Sequence, residues 1–294
     1  MVARGIPWSD PTSASHYLSY LISDFLRSVG DERWVVCWSA GAGVVGTKER
    51  ALSAERAVLQ AMLGALSGSP HFIAARGALF VASSAGGIYA SGSGEEQSED
   101  SHPQPTSDYG RSKVLQDDSV IGWASQHKVR TLIGRISNLY GPRQDLEKPQ
   151  GFISHLCRAM SRGQCFTLRV PISTIRDFIF TDDVAEKVTY WAHSSSLGSD
   201  GPVVKVLAAG RSVTLGHVIA MTRAVSRTPA RVQLASTLVN GEQPSILRFR
   251  SVVLPELETA CPTRSMEEGI ALTWAGAFRR MHEVPKPVPV RRTP

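Results

Sequence analysis

A tyrosine and a lysine four residues apart, in the segment Tyr109-Gly-Arg-Ser-Lys113, have the spacing that proton-transfer chemistry requires. Residues four apart lie on one face of a helix, and residues 108–127 are predicted to form one. A phenol with its usual pKa of about 10 is a poor base at neutral pH, whereas a nearby ammonium favours the phenolate. The pair therefore suits proton transfer to or from an alcohol or sugar hydroxyl. The same spacing is also typical of an ordinary helix surface.

Two serines add context to this pair. Ser83 and Ser84 end the apolar segment 77–84, which is predicted to be a buried strand. Ligands bind at the carboxyl ends of strands in a doubly wound sheet. A serine hydroxyl at this position is therefore placed to contact the hydroxyl with which Tyr109 would exchange a proton. The alternative interpretation is that two small residues simply close a strand.

Strand and helix patterns alternate around these residues. The predicted strands are 34–38, 77–84, 129–136, 176–180 and 203–207. The predicted helices are 13–29, 48–66, 108–127, 152–162, 184–193 and 214–225, the fifth capped by Thr181-Asp-Asp183. Alternation with short connections predicts an α/β fold, a doubly wound parallel sheet with helices on both faces.

The composition excludes several classes of protein. The chain has 294 residues, of which 42% are hydrophobic and 20% charged, so it can bury a core and is neither disordered, fibrous nor a disulfide-stapled miniprotein. The formal charge is +6, but Lys286, Arg291 and Arg292 supply three of the six charges, which leaves +3 for the rest. The sequence also lacks a basic cluster interleaved with aromatic residues, which disfavours nucleic-acid binding.

The apolar segments and the cysteines bear on localisation and metal binding. The longest apolar stretch, 34–46, is too short to span a membrane, and residues 1–11 do not form a secretory signal. The four cysteines lack metal-ligand spacing. We therefore expect a cytoplasmic protein with reduced thiols, no metal and no membrane partner.

Three further segments complete a set of motifs: Arg135-Ile-Ser-Asn-Leu-Tyr-Gly-Pro142, Arg176-Asp-Phe-Ile-Phe-Thr-Asp-Asp183 and Lys205-Val-Leu-Ala-Ala-Gly210. Together with the serine run that ends at Tyr89 and the Tyr109–Lys113 pair, they occur in the order and spacing of one family. From about Trp34 to Trp274 the chain resembles the extended short-chain dehydrogenase/reductases, specifically the NAD-dependent epimerase/dehydratase family, which acts largely on nucleotide sugars.

The resemblance implies a division of the chain into parts. A Rossmann-like, cofactor-binding domain would occupy residues 1–145 and return in part near 172–210. A smaller, mainly substrate-binding α/β part would occupy residues 146–283, and residues 284–294 would form a basic, Pro-rich tail. The resemblance also implies a homodimer.

The resemblance assigns catalytic roles. Tyr109 would be the acid/base, and Lys113 would hold the nicotinamide ribose and lower the tyrosine pKa. Ser84 would bind the reacting hydroxyl. Ser83 is the alternative, because this strand end has one more residue before Tyr89 than many relatives have.

Further positions would bind the cofactor and the substrate. Ala40, Gly41 and Ile136, with Tyr109 and Lys113, would contact NAD or NADP. Asn138 and Arg176 would contact the diphosphate of a nucleotide-sugar substrate. A guanidinium suits this task because it binds phosphate oxygens in a bidentate manner. The alternative for the arginine is an ion pair with a carboxylate nearby in sequence, that of Asp177, Asp182 or Asp183.

The beginning of the chain departs from the family pattern. Family members open with a strand and a Gly-x-x-Gly-x-x-Gly turn that holds the cofactor pyrophosphate, and no such element precedes the helix at 13–29. The segment Gly41-Ala-Gly43-Val-Val-Gly46 matches G-x-G-x-x-G, but the next strand, which ends at Ser84, does not supply the acid expected for a ribose. The Gly41–Gly46 segment is therefore interpreted as backbone beside the cofactor. The alternative is that it forms the phosphate loop of a rewired fold.

We therefore expect an N-terminally incomplete sheet that lacks one strand–helix–strand unit of about 30–40 residues. Either the true start lies upstream of Met1, or the chain is a degenerate relative.

The expected activity is that of an NAD(P)-dependent epimerase or reductase, an isomerase or oxidoreductase of nucleotide sugars. Dehydratase members usually carry an Asp-Glu pair after the catalytic serine or threonine, and Ala85-Gly86-Gly87 stands there instead. The alternative is a truncated, catalytically impaired homologue with weak or no cofactor binding.

Overall fold

A computed structural model describes residues 6–8, 10–90, 94–148, 150–194, 196–198, 201–235 and 244–282. The tail predicted at 284–294 lies outside the described residues. The helices are α1 (Pro11–Val29), α2 (Glu49–Gly68), α3 (Ala85–Ile88), α4 (Asp108–His127), α5 (Phe152–Ser161), α6 (Thr181–His193), α7 (Leu215–Ser226), α8 (Pro255–Ala260) and α9 (Met266–His282). The strands are β1 (Trp34–Trp38), β2 (Gly77–Ser84), β3 (Glu96–Gln97), β4 (Arg130–Ile136), β5 (Asn138–Tyr140), β6 (Phe166–Leu168), β7 (Ile175–Phe180), β8 (Pro202–Leu207), β9 (Ser212–Thr214), β10 (Val232–Leu234) and β11 (Arg248–Phe249).

The central sheet has the order β1-β2-β4-β8, and every pair in it is parallel. The strands β2 and β4 are almost entirely buried, as expected of continuous apolar runs covered on both faces. The α/β fold with a parallel sheet is therefore confirmed, and β1 and β2 have the predicted bounds. Because the strands are parallel, their carboxyl ends meet at one edge of the sheet.

Helices cover the two faces of this sheet. The helix α1 begins after Asp10, whose carboxylate accepts a hydrogen bond from the Thr12 amide at 3.1 Å, and ends at Gly30, which has a φ of 58°. Its buried residues pack with α2 and the sheet, together with Val120 of α4. The opposite face is covered by α6, whose Trp191 is fully buried.

A second sheet, β5-β7-β9, forms the C-terminal layer with α5, α7 and α9. The prediction that Thr181-Asp-Asp183 caps a helix at 184–193 is wrong about the boundary, because α6 begins at Thr181 without a side-chain cap. The Asp183 carboxylate accepts hydrogen bonds from Arg264 instead. Within the described ranges, no helix combines the length and the apolar character needed to cross a bilayer.

Candidate active site

The structure brings Ser84, Tyr109 and Lys113 together at the carboxyl edge of the central sheet. Ser84 is the last residue of β2, and its hydroxyl lies near the Tyr109 ring, since a Cβ at Gly87 would be 3.4 Å from Ser84 Oγ and 2.9 Å from Tyr109 Cε1. The same hydroxyl accepts a hydrogen bond from the Gly87 amide at 3.2 Å, which starts the short helix α3. The Lys113 Nζ lies 5.8 Å from the centre of the Tyr109 ring, as the helical spacing predicts.

The two serines differ in the direction of their side chains. Successive residues of a strand point to opposite faces of the sheet, so Ser83 and Ser84 cannot both face Tyr109. Ser83 lies beside Asp117, whereas Ser84 contacts the tyrosine. This geometry favours Ser84 over Ser83 as the partner of Tyr109.

Glycines allow the close approach of these residues. A Cβ at Gly87 would lie 2.9 Å from Cε1 of Tyr109, and one at Gly43 would lie 3.4 Å from Cδ2 of the same ring. A Cβ at Gly110 would collide with the Gly87 carbonyl oxygen. The tyrosine is therefore enclosed by backbone on both sides, and larger residues at these positions would displace it.

Burial controls the ionisation of the pair. It raises the pKa of Tyr109, and the carboxylates of Glu55 and Asp117 raise it further, while the Ser84 hydrogen bond lowers it. Burial lowers the pKa of Lys113, against the opposing effect of the same two carboxylates. The expected lowering of the tyrosine pKa is not observed in this structure, because desolvation of the phenolate dominates.

A buried group of charges lies beneath the pair. Asp117, one turn of α4 after Lys113, accepts a hydrogen bond from Nε of Arg135 at 2.9 Å. Arg135 also donates to the Tyr89 hydroxyl at 2.5 Å. Asp117 was not singled out from the sequence, although its i, i+4 spacing from Lys113 was a usable signal.

The segment Gly41–Gly43 follows β1 at the same edge. Its amides are bound by a side chain that sequence reasoning missed: Oε1 of Glu55 accepts hydrogen bonds from the Ala42 amide at 2.6 Å and the Gly43 amide at 2.7 Å. Lys148 donates to the Gly41 carbonyl at 3.1 Å. Since a carboxylate already binds these amides, the arrangement disfavours the interpretation of the segment as a phosphate loop.

The other residues assigned to the cofactor lie nearby. Ala40 is partly buried against the core, and Gly41 has a φ of 148°. Ile136 ends β4 directly opposite Ser84 in the strand register. Ala40 and Gly41 follow β1, and Ile136 ends β4. All three therefore lie at the carboxyl edge of the sheet, on the two strands that flank β2 and its terminal Ser84.

Arg176 and Asn138 lie on the second sheet. The Arg176 guanidinium donates to backbone carbonyls of Ile175 and Pro244 at 2.8 Å each, and burial lowers its pKa to about 10. Asn138 donates from Nδ2 to the Asp177 carbonyl at 2.8 Å.

The three carboxylates near Arg176 in sequence have other partners. Asp177 accepts from Ser137 and from two backbone amides, Asp182 lies 3.6 Å from Arg143, and Asp183 binds Arg264. Among the residues that the structure describes, Arg176 has no ion-pair partner. A buried guanidinium that is not paired with a carboxylate can bind an anionic ligand.

The side chains present suit one end of a nicotinamide dinucleotide. The Lys113 ammonium is buried, and within the described part of the chain its one hydrogen-bond acceptor is Oε1 of Gln116, at 3.0 Å. Two of its three N–H groups are thus available for ribose hydroxyls. Lys113 and Tyr109 fit the nicotinamide ribose, whereas the described residues do not supply a Gly-rich turn for the pyrophosphate. They also contain no cluster of three potential metal ligands.

Sequence comparison identifies the family of the chain and one curated relative. The sequence model of the NAD dependent epimerase/dehydratase family matches residues 42–206, more than half of the chain. The dTDP-L-rhamnose 4-epimerase of Burkholderia thailandensis is 32% identical over 87 residues, which are 29% of this chain and 24% of that protein. The match thus spans about a quarter of the length of that curated relative.

Solved structures resemble most of the chain. UDP-glucose 4-epimerase of Thermotoga maritima, solved with UDP-glucose, superposes with a TM-score of 0.74, at 20% identity over 90% of this chain and 82% of that one. UDP-glucuronic acid 4-epimerase of Bacillus cereus, solved with UDP-glucuronic acid and NAD, gives 0.71 at 19% identity over 88% and 78%. RMD of Pseudomonas aeruginosa, complexed with NADPH, gives 0.72 at 17% identity over 94% and 89%. At these identities the likeness establishes the fold.

Proposed function

Because the chain belongs to the NAD dependent epimerase/dehydratase family, we propose that it is an NAD(P)-dependent epimerase or reductase that acts on a nucleotide sugar. The observation that carries the proposal is the meeting of Ser84, Tyr109 and Lys113 at the carboxyl edge of a parallel sheet. A phenol, a hydroxyl and an ammonium in one partly buried site can transfer a proton while holding the reacting oxygen.

The proposed roles follow from the chemistry of each side chain. Bound NAD or NADP would supply the hydride chemistry at a sugar carbon. Tyr109 would exchange a proton with the substrate oxygen, and Ser84 would hold that oxygen through its hydroxyl. Lys113 would bind the ribose hydroxyls with its available N–H groups and stabilise the phenolate with its charge. Ala40, Gly41 and Ile136 would line the cofactor cleft.

The substrate class is proposed from Arg176 and Asn138. Arg176 is a buried guanidinium without an ion-pair partner in the described residues, which suits a diphosphate. The Thermotoga maritima neighbour, solved with UDP-glucose, supports the same class of substrate. In α3, Ala85, Gly86 and Gly87 bring no acid or base side chain to the site, which favours epimerisation or reduction over dehydration.

The test combines cofactor binding with turnover. The purified protein is titrated with NADH and NADPH by fluorescence, and the protein with cofactor is then incubated with UDP-glucose, UDP-glucuronic acid and dTDP-rhamnose. We expect NMR to detect a new epimer, or absorbance of the nicotinamide to report reduction of a keto sugar. Loss of turnover in Tyr109→Phe would support the mechanism, and unchanged turnover would contradict it.

A second candidate function is a catalytically impaired homologue with weak or no cofactor binding. The favouring observation is that Glu55 binds the Ala42 and Gly43 amides, while the described residues do not provide a Gly-rich phosphate turn. Calorimetric titration with NAD(H) and NADP(H) separates the two candidates. Absence of binding at millimolar cofactor would favour the impaired homologue, and micromolar binding would exclude it.

A further inference from the structure

Glu55 joins three parts of the proposed site, although it belongs to none of the motifs. It lies on α2, between the Gly41–Gly43 segment and the Tyr109–Lys113 pair. Its Oε1 accepts hydrogen bonds from the two amides of Ala42 and Gly43, at 2.6 and 2.7 Å. Hydrogen bonds from backbone amides to a carboxylate are charge-assisted and stronger than neutral ones. This oxygen therefore fixes the backbone that follows β1.

The second carboxylate oxygen of Glu55 faces the catalytic pair. A Cβ added to Gly41 would lie 3.4 Å from Glu55 Oε2 and 4.0 Å from Lys113 Nζ. A Cβ added to Gly43 would lie 3.2 Å from the same oxygen and 3.4 Å from Cδ2 of Tyr109. The carboxylate thus lies beside both glycines, with the Lys113 ammonium near Gly41 and the Tyr109 ring near Gly43.

Several charged groups act on this site from the elements packed around it. Glu55 comes from α2, Lys113 and Asp117 come from α4, and Arg135 of β4 is bound to Asp117. The negative charge of Glu55 favours the charged form of Lys113 and the protonated form of Tyr109. Because the site is partly shielded from water, a unit charge close to Lys113 and Tyr109 affects both equilibria.

We propose that Glu55 is a positioning residue of the active site. One of its oxygens fastens the Gly41–Gly43 backbone, and the other places a negative charge beside the Lys113 ammonium and the Tyr109 phenol. This proposal rests on the acid–base function proposed for Tyr109, and it explains why a carboxylate binds amides at the edge of the cofactor cleft.

The two tasks of Glu55 can be separated by two substitutions. Glu55→Gln keeps a carbonyl oxygen that accepts from both amides but removes the charge. Glu55→Ala removes both. Glu49→Gln is the matched control, because Glu49 lies on the same helix, is exposed and pairs with Arg56 at 2.6 Å. All three are compared with the parent protein by near-ultraviolet circular dichroism, which reports whether each one is folded.

The first measurement is amide hydrogen exchange of Ala42 and Gly43 by NMR, without cofactor. We expect at least about tenfold faster exchange in Glu55→Ala, from loss of charge-assisted hydrogen bonds. Exchange in Glu49→Gln should stay near that of the parent protein, and exchange in Glu55→Gln, which keeps neutral hydrogen bonds to both amides, should lie between that of the parent and that of Glu55→Ala. If Glu55→Ala is folded and both amides exchange as slowly as in the parent protein, the proposal is overturned. If Glu55→Ala does not fold, the second measurement, made on Glu55→Gln, decides.

The second measurement is the ionisation of Tyr109, followed through its 13Cζ resonance and assigned with Tyr109→Phe. Removing a negative charge from the site should favour the phenolate, so Glu55→Gln should raise the ionisation constant of Tyr109 about threefold or more. Glu49→Gln should leave it unchanged. An ionisation constant in Glu55→Gln equal to that of the parent would overturn the electrostatic part.

Neither measurement needs cofactor or substrate, so the outcome is independent of the proposed function. If Tyr109→Phe keeps full turnover while both Glu55 measurements give the expected result, the catalytic proposal fails and the positioning of the segment by Glu55 stands. If turnover depends on Tyr109 but both Glu55 variants match the parent, the positioning proposal fails alone.

Discussion

Nε of Arg135 lies 2.9 Å from the Asp117 carboxylate, and both side chains are buried between β4 and α4. Asp117 follows Lys113 by one helical turn, so the ion pair supports the helix that carries the proposed catalytic residues. Removing one partner of a buried pair leaves the other charge uncompensated, which costs more than the pair itself contributes.

We therefore expect Asp117→Ala to lower the free energy of unfolding by about 3–5 kcal/mol. Urea denaturation followed by circular dichroism measures the change. Asp118→Ala is the control, because its side chain is exposed and should change stability by less than about 0.5 kcal/mol. Equal stability of the two variants would contradict a supporting role for the ion pair.

The opposite directions of Ser83 and Ser84 give a second prediction. Ser84→Ala should lower turnover by about 100-fold, because it removes the hydroxyl proposed to hold the reacting oxygen. Tyr109→Phe should lower it by about 100-fold or more, since it removes the group proposed to transfer the proton.

Ser83→Ala is the matched control for this pair of variants, and it should keep most of the turnover. Steady-state kinetics on the sugar that proves to be turned over measures all three. A larger loss in Ser83→Ala than in Ser84→Ala would reverse the assignment of the two serines.

Arg176 gives a prediction about substrate affinity. Its guanidinium is buried and bonded to backbone carbonyls, and a lysine cannot reproduce bidentate binding of a diphosphate. Arg176→Lys should raise KM for the nucleotide sugar by about 10- to 100-fold, with a smaller change in kcat. Arg169→Lys, on an exposed side chain, should leave both constants near their original values. A KM unchanged by Arg176→Lys would remove this residue from the substrate site.

Cys157 gives a prediction about thiol reactivity. Burial raises the pKa of its thiol to about 12, and its side chain is fully buried in the C-terminal layer. Because the thiolate is the reactive form, iodoacetamide at about pH 8 should modify Cys157 at least about 100-fold more slowly than the exposed Cys165. Mass spectrometry of tryptic peptides measures both rates. Similar modification rates of Cys157 and Cys165 in the native protein would contradict the burial of Cys157. Unfolding in urea should make the two rates similar.

Local patterns predicted the elements that carry the site. The segment 77–84 is apolar enough to be a buried strand in any context, and its observed bounds are those predicted. The i, i+4 spacing of Tyr109 and Lys113 required only a helix there, and α4 provides it. The boundary at Thr181 was predicted incorrectly, because Asp183 is bound to Arg264, which is distant in sequence and therefore invisible to local capping rules.

The sequence by itself determined the parallel α/β fold, the helix that carries Tyr109 and Lys113, and the strand end that carries the serines. These follow from short-range periodicity and from apolar runs. Only the tertiary structure decided that Ser84 rather than Ser83 meets Tyr109, and that Glu55 binds the amides of Gly41–Gly43. Both depend on how helices pack against the sheet, and that packing brings together side chains and backbone groups whose separation along the chain carries no local signal.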